Sequence, residues 1–184
     1  MTGRGSFSSA RLCKGGAFYG LDDDQAQKLT SPNPFALLSV RKNDGTTNVM
    51  AVSWWNYASN HPATVTVCLS SKGYSGQCIR ESGAFGLNIV GEPLKEAAIK
   101  AGCCSGRDMD KAAAIGIPLT AQEGFSQEMV DGSRLWISCR LKDTLTIGDH
   151  VLYVGEVETI MGDPSVKGLY AWEGYGRLDT VSGV

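Results

Sequence analysis

The feature that most constrains the fold is a pair of β-type segments in residues 46–75, which read TTNVMAVSWWNYASNHPATVTVCLSSKGYS. Side chains alternate along the first segment, so that Val49 and Ala51 are predicted to face one way and Met50, Val52 and Trp54 the other. The second segment, ATVTVCLS, is rich in the β-branched residues that favour strands. A glycine, a lysine and several hydroxyls follow at once, at a predicted helix start.

The rest of the sequence repeats this pattern of strands with few intervening helices. The turn residues Asn43–Asp44–Gly45 predict a hairpin after the first strand. Pro32 and Pro34 are expected to exclude a helix from the polar segment 21–34. The predicted strands are residues 35–42, 46–57, 64–70, 84–90, 133–148 and 150–160. The predicted helices are residues 74–83, 91–102 and 107–116.

This element order predicts a mainly β protein. Helices do not alternate one-for-one with strands, which disfavours a doubly wound parallel sheet. An antiparallel β-barrel or sandwich with helical insertions fits better. A length of 184 residues is typical of a single domain, and residues 1–184 are interpreted as one, with a loose N-terminal arm at 1–29 and a core at 30–175.

Composition excludes several classes of protein. The net charge is −2 and the pI is about 5.7, so the chain has no basic field for nucleic acid and no polybasic face for anionic lipid. No apolar run reaches the roughly 18 residues of a membrane span. The N-terminal segment lacks the apolar stretch of a secretory signal, so a cytoplasmic location is expected.

The six cysteines form no C-x-x-C pair, and the chain has two histidines, so no metal site is predicted. A chain long enough to build a core does not need disulfides, and reduced, mostly buried thiols are expected. The adjacent Cys103 and Cys104 leave a second interpretation open, in which they form an exposed redox-active pair.

The segment SSKGYS has the residue types of a phosphate site. Lys72 supplies a cation, Gly73 lets the backbone approach a ligand, and Ser70, Ser71 and Ser75 supply hydroxyls. Ser75 is also a candidate helix N-cap, and a helix N-terminus favours an anion. The alternative is a polar turn between strand and helix. Neither a P-loop nor a G-x-G-x-x-G motif is present.

Residues 47–55 could recognise a flat heterocycle. Asn48 and Ser53 interrupt an otherwise apolar strand, and Trp54 or Trp55 could pack on a ring face. The alternative is a half-buried strand with both tryptophans in the core. His150, at a predicted strand start, has either a role near the ligand or an ordinary turn position.

Several motifs, in this order, carry a resemblance to a known family: PFALLSVRKNDGTTNVMAVSWW, HPATVTVCLSSKGYS, GAFGLNIV, DMDKAAAIGI and GDHVLYVGEVE. The sequence resembles the flavin reductase-like family, which has the FMN-binding split-barrel fold, and is most similar to its flavoredoxin branch. The resemblance implies a six-stranded Greek-key barrel, a homodimer and one FMN per subunit.

The resemblance also implies a set of cofactor-binding residues. Asn48, Met50, Ala51, Ser53 and Trp54 would flank the isoalloxazine ring, and Val49 and Leu69 belong to the same set. The phosphate and ribityl chain would contact Ser70, Lys72, Tyr74 and Ser75, and Asn88 and Lys111 are carried over as further contacts. Residue types alone make Lys111 an ordinary solvated helix lysine.

The implied function is an oxidoreductase that moves electrons from NAD(P)H through FMN to free flavin, a ferric chelate or a partner protein. FMN carries the redox chemistry, which explains the lack of a hydrolytic triad. His150 is the candidate catalytic residue, orienting a nicotinamide or donating to the flavin edge. Two alternatives stay open: an FMN electron carrier that does not oxidise NAD(P)H, and a binding module with no redox role.

Overall fold

The computed structural model describes residues 11–13, 16–18, 20–174 and 176–181. The strands are β1 (Arg11–Cys13), β2 (Gly16–Phe18), β3 (Asn33–Pro34), β4 (Ala36–Arg41), β5 (Thr47–Val52), β6 (Trp55–Asn60), β7 (Ala63–Ser70), β8 (Ala84–Val90), β9 (Leu119–Thr120), β10 (Met129–Val130), β11 (Ser133–Ile147), β12 (His150–Gly162), β13 (Leu169–Trp172) and β14 (Arg177–Thr180). The helices are α1 (Asp23–Leu29), α2 (Tyr74–Ser82), α3 (Lys95–Cys103), preceded by a 3₁₀ turn at Glu92–Leu94, and α4 (Lys111–Ile115).

The main sheet of the described structure has seven strands in the order β5-β4-β8-β11-β12-β7-β6. Every neighbouring pair is antiparallel. Smaller sheets pair β1 with β2, β9 with β10, and β13 with both β14 and β3. The prediction of a mainly β, antiparallel fold with helical insertions is therefore confirmed.

The two edges of this sheet are consecutive in the chain. Residues 46–57 were predicted as one strand, but they divide at Ser53 and Trp54 into β5 and β6, which lie at opposite edges. Three virtual Cα–Cα bonds separate Val52 from Trp55, so the edges approach within about 11 Å there. The sheet must therefore curl towards a barrel, although among the described strands no ladder joins β5 to β6. This division explains seven strands where six were expected.

Two apolar cores lie on the two faces of β5. Val52 and Met50 pack with strand residues such as Leu87 and Tyr153 inside the curled sheet. Val49 and Ala51 belong to a second core, where the sheet packs against α3 and α4. The predicted alternation along this strand is confirmed.

Close packing inside the sheet explains one glycine of the GDHVLYVGEV segment. A Cβ at Gly155 would lie 2.5 Å from Cζ of Phe85 and 2.8 Å from Cβ of Cys139. Real Cβ atoms do not approach that closely, so glycine is needed where β12 crosses the core.

The hairpin predicted at residues 43–45 is present between β4 and β5. Lys42 N donates to Thr46 O at 2.7 Å, and Gly45 adopts a φ of 86°. The Asp44 carboxylate accepts from both the hydroxyl (2.6 Å) and the amide (2.9 Å) of Thr46. These two hydrogen bonds, with Lys42 nearby, lower the pKa of Asp44 from 3.8 to about 2.

The helix ends follow the sequence only in part, since α3 begins at Lys95 after a 3₁₀ turn and α4 begins at Lys111 rather than at residue 107. Gly83 ends α2 in the left-handed region, with a φ of 72°, as predicted. The N-cap of α2 is Gly73, however, and Ser75 is buried in the first turn. The prediction of Ser75 as the N-cap was wrong, because the chain is already helical at Tyr74.

The expected absence of a helix before Pro32 was also wrong. The helix α1 begins after Asp22, whose side chain accepts from Gln25 N at 2.8 Å, while the Gln25 side chain accepts from Asp22 N at 3.2 Å. This capping box stabilises a short helix that ends at Leu29, before the prolines. Pro32 therefore limits the helix rather than preventing it. Among the described residues, no helix is long and apolar enough to cross a membrane.

Candidate functional site

Two neighbouring cavities lie along β5. The first cavity has a volume of about 430 Å³ and the second about 200 Å³. Met50 and Ala51 line both. The first continues along Val52, Ser53 and Trp54, whereas the second reaches Asn48. The strand segment singled out in the sequence therefore contributes to both cavities.

Two stacked rings form one wall of the first cavity. The Trp54 and His150 ring centroids lie 5.0 Å apart, with the planes inclined by 38°. His150 Nδ1 lies 2.8 Å from the Asp149 carboxylate, and this hydrogen bond, with the charge of the imidazolium, lowers the pKa of Asp149. Leu69 and Ser70, at the end of β7, line the same cavity. Strand pairing places Ser70 opposite His150.

Further lining residues of the first cavity come from outside the predicted cofactor-binding set. Asp24 and Gln27 of α1 line the first cavity, as does Glu173 in the turn after β13. Glu173 has a positive φ of 55°, and its N–H donates to Ser31 Oγ at 2.8 Å. The Asp22-x-x-Gln25 capping pattern was the available signal for this helix.

The second cavity combines a buried cation with hydroxyls. Tyr74 and Ser75, in the first turn of α2, line it together with Ser105 and Lys111. Lys111 is 3% exposed, so the interpretation of a solvated helix lysine was wrong. Its ammonium donates to Ala101 O, and burial lowers its pKa. An ammonium has three N–H donors, so two remain for a ligand.

Asn48, which lines the second cavity, has a buried side-chain oxygen without a partner among the described residues. Its Nδ2 donates to Ser75 Oγ at 2.8 Å, whereas its buried Oδ1 meets no donor in the described part of the chain. Turning the amide over would leave the nitrogen unpaired instead. A Cβ at Gly106 would lie 2.0 Å from Asn48 Oδ1, so only glycine fits there. A buried polar atom of this kind calls for a partner, and a ligand hydroxyl, N–H or carbonyl would provide one.

Three residues of the predicted cofactor set lie outside both cavities. Val49 is fully buried in the second core. Asn88 is fully buried, and its amide makes hydrogen bonds of 2.8 Å to Leu37 O, 3.1 Å to Ser39 Oγ and 2.8 Å from Val130 N. Lys72 is exposed, with its charge near Asp149.

The other predicted cofactor residues come together around the two cavities. They are Asn48, Met50, Ala51, Ser53, Trp54, Leu69, Ser70, Tyr74, Ser75 and Lys111. The predicted catalytic residue, His150, lines the first cavity.

The cysteine side chains of the described structure are free thiols. Cys78 and Cys139 are buried, and burial raises the pKa of Cys139 to about 12. Cys103 is exposed and Cys104 half-buried. Within the described residues no cluster of His, Cys, Asp and Glu side chains could hold a metal ion. Cys13 belongs to β1, and its side chain is outside the part of the chain whose side chains the structure describes.

A curled antiparallel sheet with an elongated two-part cleft along one edge strand defines a class of small-molecule-binding β proteins. The family profile described as "Flavin reductase like domain" matches residues 29–179. The chain belongs to this family.

The chain is also similar to individual relatives. It is 28% identical over 122 residues to the NADH-dependent flavin reductase StyB of Pseudomonas fluorescens. The aligned segment covers 66% of this chain and 67% of that protein. The chain is 25% identical over 139 residues to an uncharacterised protein of Aeropyrum pernix, covering 74% of this chain. The chain spans about half, 53%, of the length of that relative.

Solved structures show the same fold. Flavoredoxin of Desulfovibrio vulgaris superposes with a TM-score of 0.77 at 23% identity, covering 84% of this chain and 90% of that one. An FMN-binding protein from Thermus thermophilus, solved with bound p-hydroxybenzaldehyde, superposes with a TM-score of 0.75 at 22% identity, covering 83% and 88%.

Proposed function

We propose that this protein is an FMN-dependent oxidoreductase of the flavin reductase type, which takes electrons from NAD(P)H and passes them to free flavin, a ferric chelate or a redox partner. The observation that carries the proposal is the position of β5. The segment TNVMAVSW spans residues 47–54, and residues 48 and 50–54 of it line two adjoining cavities. One cavity has aromatic rings in its wall, and the other has a buried cation and hydroxyls. Family membership supports a flavin as the ligand.

The first cavity suits the flat ring system. Trp54 and His150 offer ring surfaces, and the strand backbone at Ala51–Ser53 offers donors and acceptors at the edge of a heterocycle. A bound nicotinamide would enter the same cavity, whose other wall carries Asp24 and Glu173.

The second cavity suits the ribityl and phosphate end. Lys111 offers a buried positive charge, and Tyr74 and Ser75 offer hydroxyls at the N-terminus of α2. The unsatisfied amide of Asn48 fits a chain of ribityl hydroxyls, which can both donate and accept. The residues present therefore fit a phosphorylated flavin.

When bound, FMN supplies the acceptance of a hydride and the onward transfer of electrons. The residues have supporting roles. The hydrogen bond that His150 Nδ1 donates to the Asp149 carboxylate orients the His150 ring and leaves Nε2 to contact a nicotinamide or the ring edge. Lys111 lines the second cavity together with residues of β5, and its positive charge favours an anionic ligand there.

A homodimer is part of the proposal. Large apolar side chains are exposed on β11 and β12: Leu145 at 58%, Ile147 at 51%, Ile160 at 50% and Met161 at 44%. Leu145 and Ile147 lie near the β11–β12 turn, whereas Ile160 and Met161 lie at the far end of β12. Burial of either pair against a second copy would remove apolar surface from water. Light scattering on the purified protein tests it, and a monomer at micromolar concentration would contradict it.

The test of function is the visible spectrum of the purified protein with added FMN, recorded without oxygen before and after NADH or NADPH. Yellow protein that bleaches supports the reductase. Yellow protein that keeps its colour supports the alternative, an electron carrier that needs another donor. Protein that binds no FMN contradicts the proposal.

Two buried amides provide a matched pair of variants for this assay. Asn48→Ala removes the unsatisfied amide of the second cavity and should weaken FMN binding. Gln127→Ala removes another buried amide with an unsatisfied Oε1, which lines neither of the two cavities, and should leave binding unchanged. Equal losses would mean that the amide acts through stability.

A further inference from the structure

A thiol lines the second cavity. Cys104 follows the last residue of α3 and is one of the lining residues, whereas the adjacent Cys103 is exposed and is not. The two thiols are directed to different carbonyls: Cys103 Sγ lies 3.4 Å from Ile99 O, and Cys104 Sγ lies 3.5 Å from Lys100 O. Neighbours in sequence therefore have different surroundings.

Positive charge lies on the walls of the same cavity as this thiol. The buried ammonium of Lys111 lines the same cavity. Burial lowers the pKa of Lys111, and the electrostatic interaction with Cys104 and Cys103 offsets part of this shift. The Arg107 guanidinium lies 4.8 Å from the centroid of the Tyr74 ring, another wall of the cavity. A cation on the wall of a cavity that contains a partly accessible thiol attracts anionic reagents to that thiol.

An independent feature shows that the cavity is built to hold a ligand. Asn48, 3% exposed, lines the same cavity, and its buried Oδ1, beside the lining residue Gly106, has no partner in the described structure. The thiol therefore lies in a binding cavity rather than on a featureless surface.

We propose that Cys104 is a modification site for low-molecular-weight disulfides of anionic thiols, and that the mixed disulfide fills the second cavity and excludes the flavin phosphate. The second half of this inference rests on the proposed function. The cavity is about 200 Å³, and an attached thiol would occupy the space that the phosphorylated chain of the flavin would need. The oxidation state of the thiol would then control the loading of the protein with flavin.

The reaction is ordinary thiol–disulfide exchange. The Cys104 thiol loses its proton to solvent, and the thiolate attacks one sulfur of the disulfide. The S–S bond of the reagent breaks as the new S–S bond forms, and the second sulfur leaves as a free thiolate. Cys104 is oxidised, the leaving thiol is reduced, and an added dithiol reverses the step.

The first test asks whether charge directs the reaction. Cys103→Ser leaves Cys104 as the thiol of the pair, and Cys104→Ser leaves Cys103. Each is treated with dianionic 5,5′-dithiobis(2-nitrobenzoate) and with neutral 4,4′-dithiodipyridine, and the labelled residue is located by mass spectrometry. We expect the anionic-to-neutral rate ratio to be about tenfold higher at Cys104 than at Cys103 at low salt, and to fall at high salt. Equal ratios would overturn the modification site.

The second test asks whether flavin and modification compete. In Cys103→Ser, saturating FMN should slow labelling of Cys104 by about tenfold or more, and the labelled protein should lose FMN binding until a dithiol is added. In Cys104→Ser, FMN should not slow the labelling of Cys103, and labelled protein should bind FMN as well as unlabelled protein does. If FMN binds but Cys104 reacts at the same rate, the competition is refuted while the proposed function stands. If FMN does not bind at all, the proposed function fails, and the rate ratios still decide the modification site.

Discussion

Lys72 and Lys111 are the two candidates for the cation that would bind the flavin phosphate. The structure favours Lys111, although its residue type and position in the sequence indicated an ordinary solvated lysine. Lys72 belongs to the phosphate-like SSKGYS segment but is exposed and lines neither cavity. Lys111 is 3% exposed and lines the second cavity. We therefore expect Lys111→Met to weaken FMN binding much more than Lys72→Ala.

The magnitudes follow from burial. A hydrogen bond to a charged group contributes about 1.5–3 kcal/mol, so loss of the Lys111 ammonium should raise the Kd about 10- to 150-fold. An exposed ion pair contributes at most about 1 kcal/mol, because water and salt screen it, so Lys72→Ala should raise the Kd no more than about fivefold.

The assay is quenching of flavin fluorescence on binding, measured in parallel with FMN and with riboflavin, which lacks the phosphate. In the natural protein FMN should bind more tightly than riboflavin, and Lys111→Met should abolish most of this preference. A variant that is merely misfolded would lose both ligands equally, and circular dichroism provides a further control. A larger loss of preference in Lys72→Ala than in Lys111→Met would refute the assignment of the phosphate to the second cavity.

Three further predictions concern catalysis, packing and pH. His150→Ala should lower turnover with NAD(P)H much more than FMN affinity, and equal losses would argue against a role in orienting the nicotinamide. Gly155→Ala should destabilise the fold by about 1–3 kcal/mol in urea unfolding, because its new Cβ overlaps core atoms, whereas Gly102→Ala, whose Cβ meets its nearest neighbour at 3.6 Å, should be neutral or stabilising. The lowered pKa of Asp44, about 2 against 3.8, contributes stability that is fully present above pH 4 and lost as the pH falls towards 2. Asp44→Asn should therefore show a shallower fall in Tm between pH 5 and 2, and identical slopes would contradict this.

The sequence was most informative where a local rule decides the structure. Strand alternation assigned Val49 and Met50 to opposite faces, and Gly83 marked the end of α2. Similarly, the Asn-Asp-Gly turn identified the β4–β5 hairpin, because a short turn between strands determines their pairing.

The sequence was less informative where tertiary packing decides. Whether a helical lysine is solvated or buried depends on what packs over it, and residue types alone do not show that Lys111 folds back against the Ala101 carbonyl near the end of α3. The wall at Asp24 and Glu173 joins residues that are far apart in the chain, so no local pattern places them together. Asn88 looked like a ligand residue, but its hydrogen bonds to β4 and β10 occupy its amide.

The link at Ser53 and Trp54 has a consequence for how this protein opens. A curled sheet without a ladder between its edge strands is expected to separate there first, because few hydrogen bonds oppose local opening. The proposed ligand site is lined by β5, by Ser53 and Trp54, and by the end of β7, which is the neighbour of β6. A bound flavin would therefore couple β5 to the opposite end of the sheet, to which only the backbone link connects it. At a ligand concentration 100 times the Kd, binding adds about 2.7 kcal/mol to the cost of opening. The amides of β5 and β6 should then exchange their hydrogens with solvent far more slowly when flavin is bound, which would make the cofactor a structural closure of the barrel as well as its redox group.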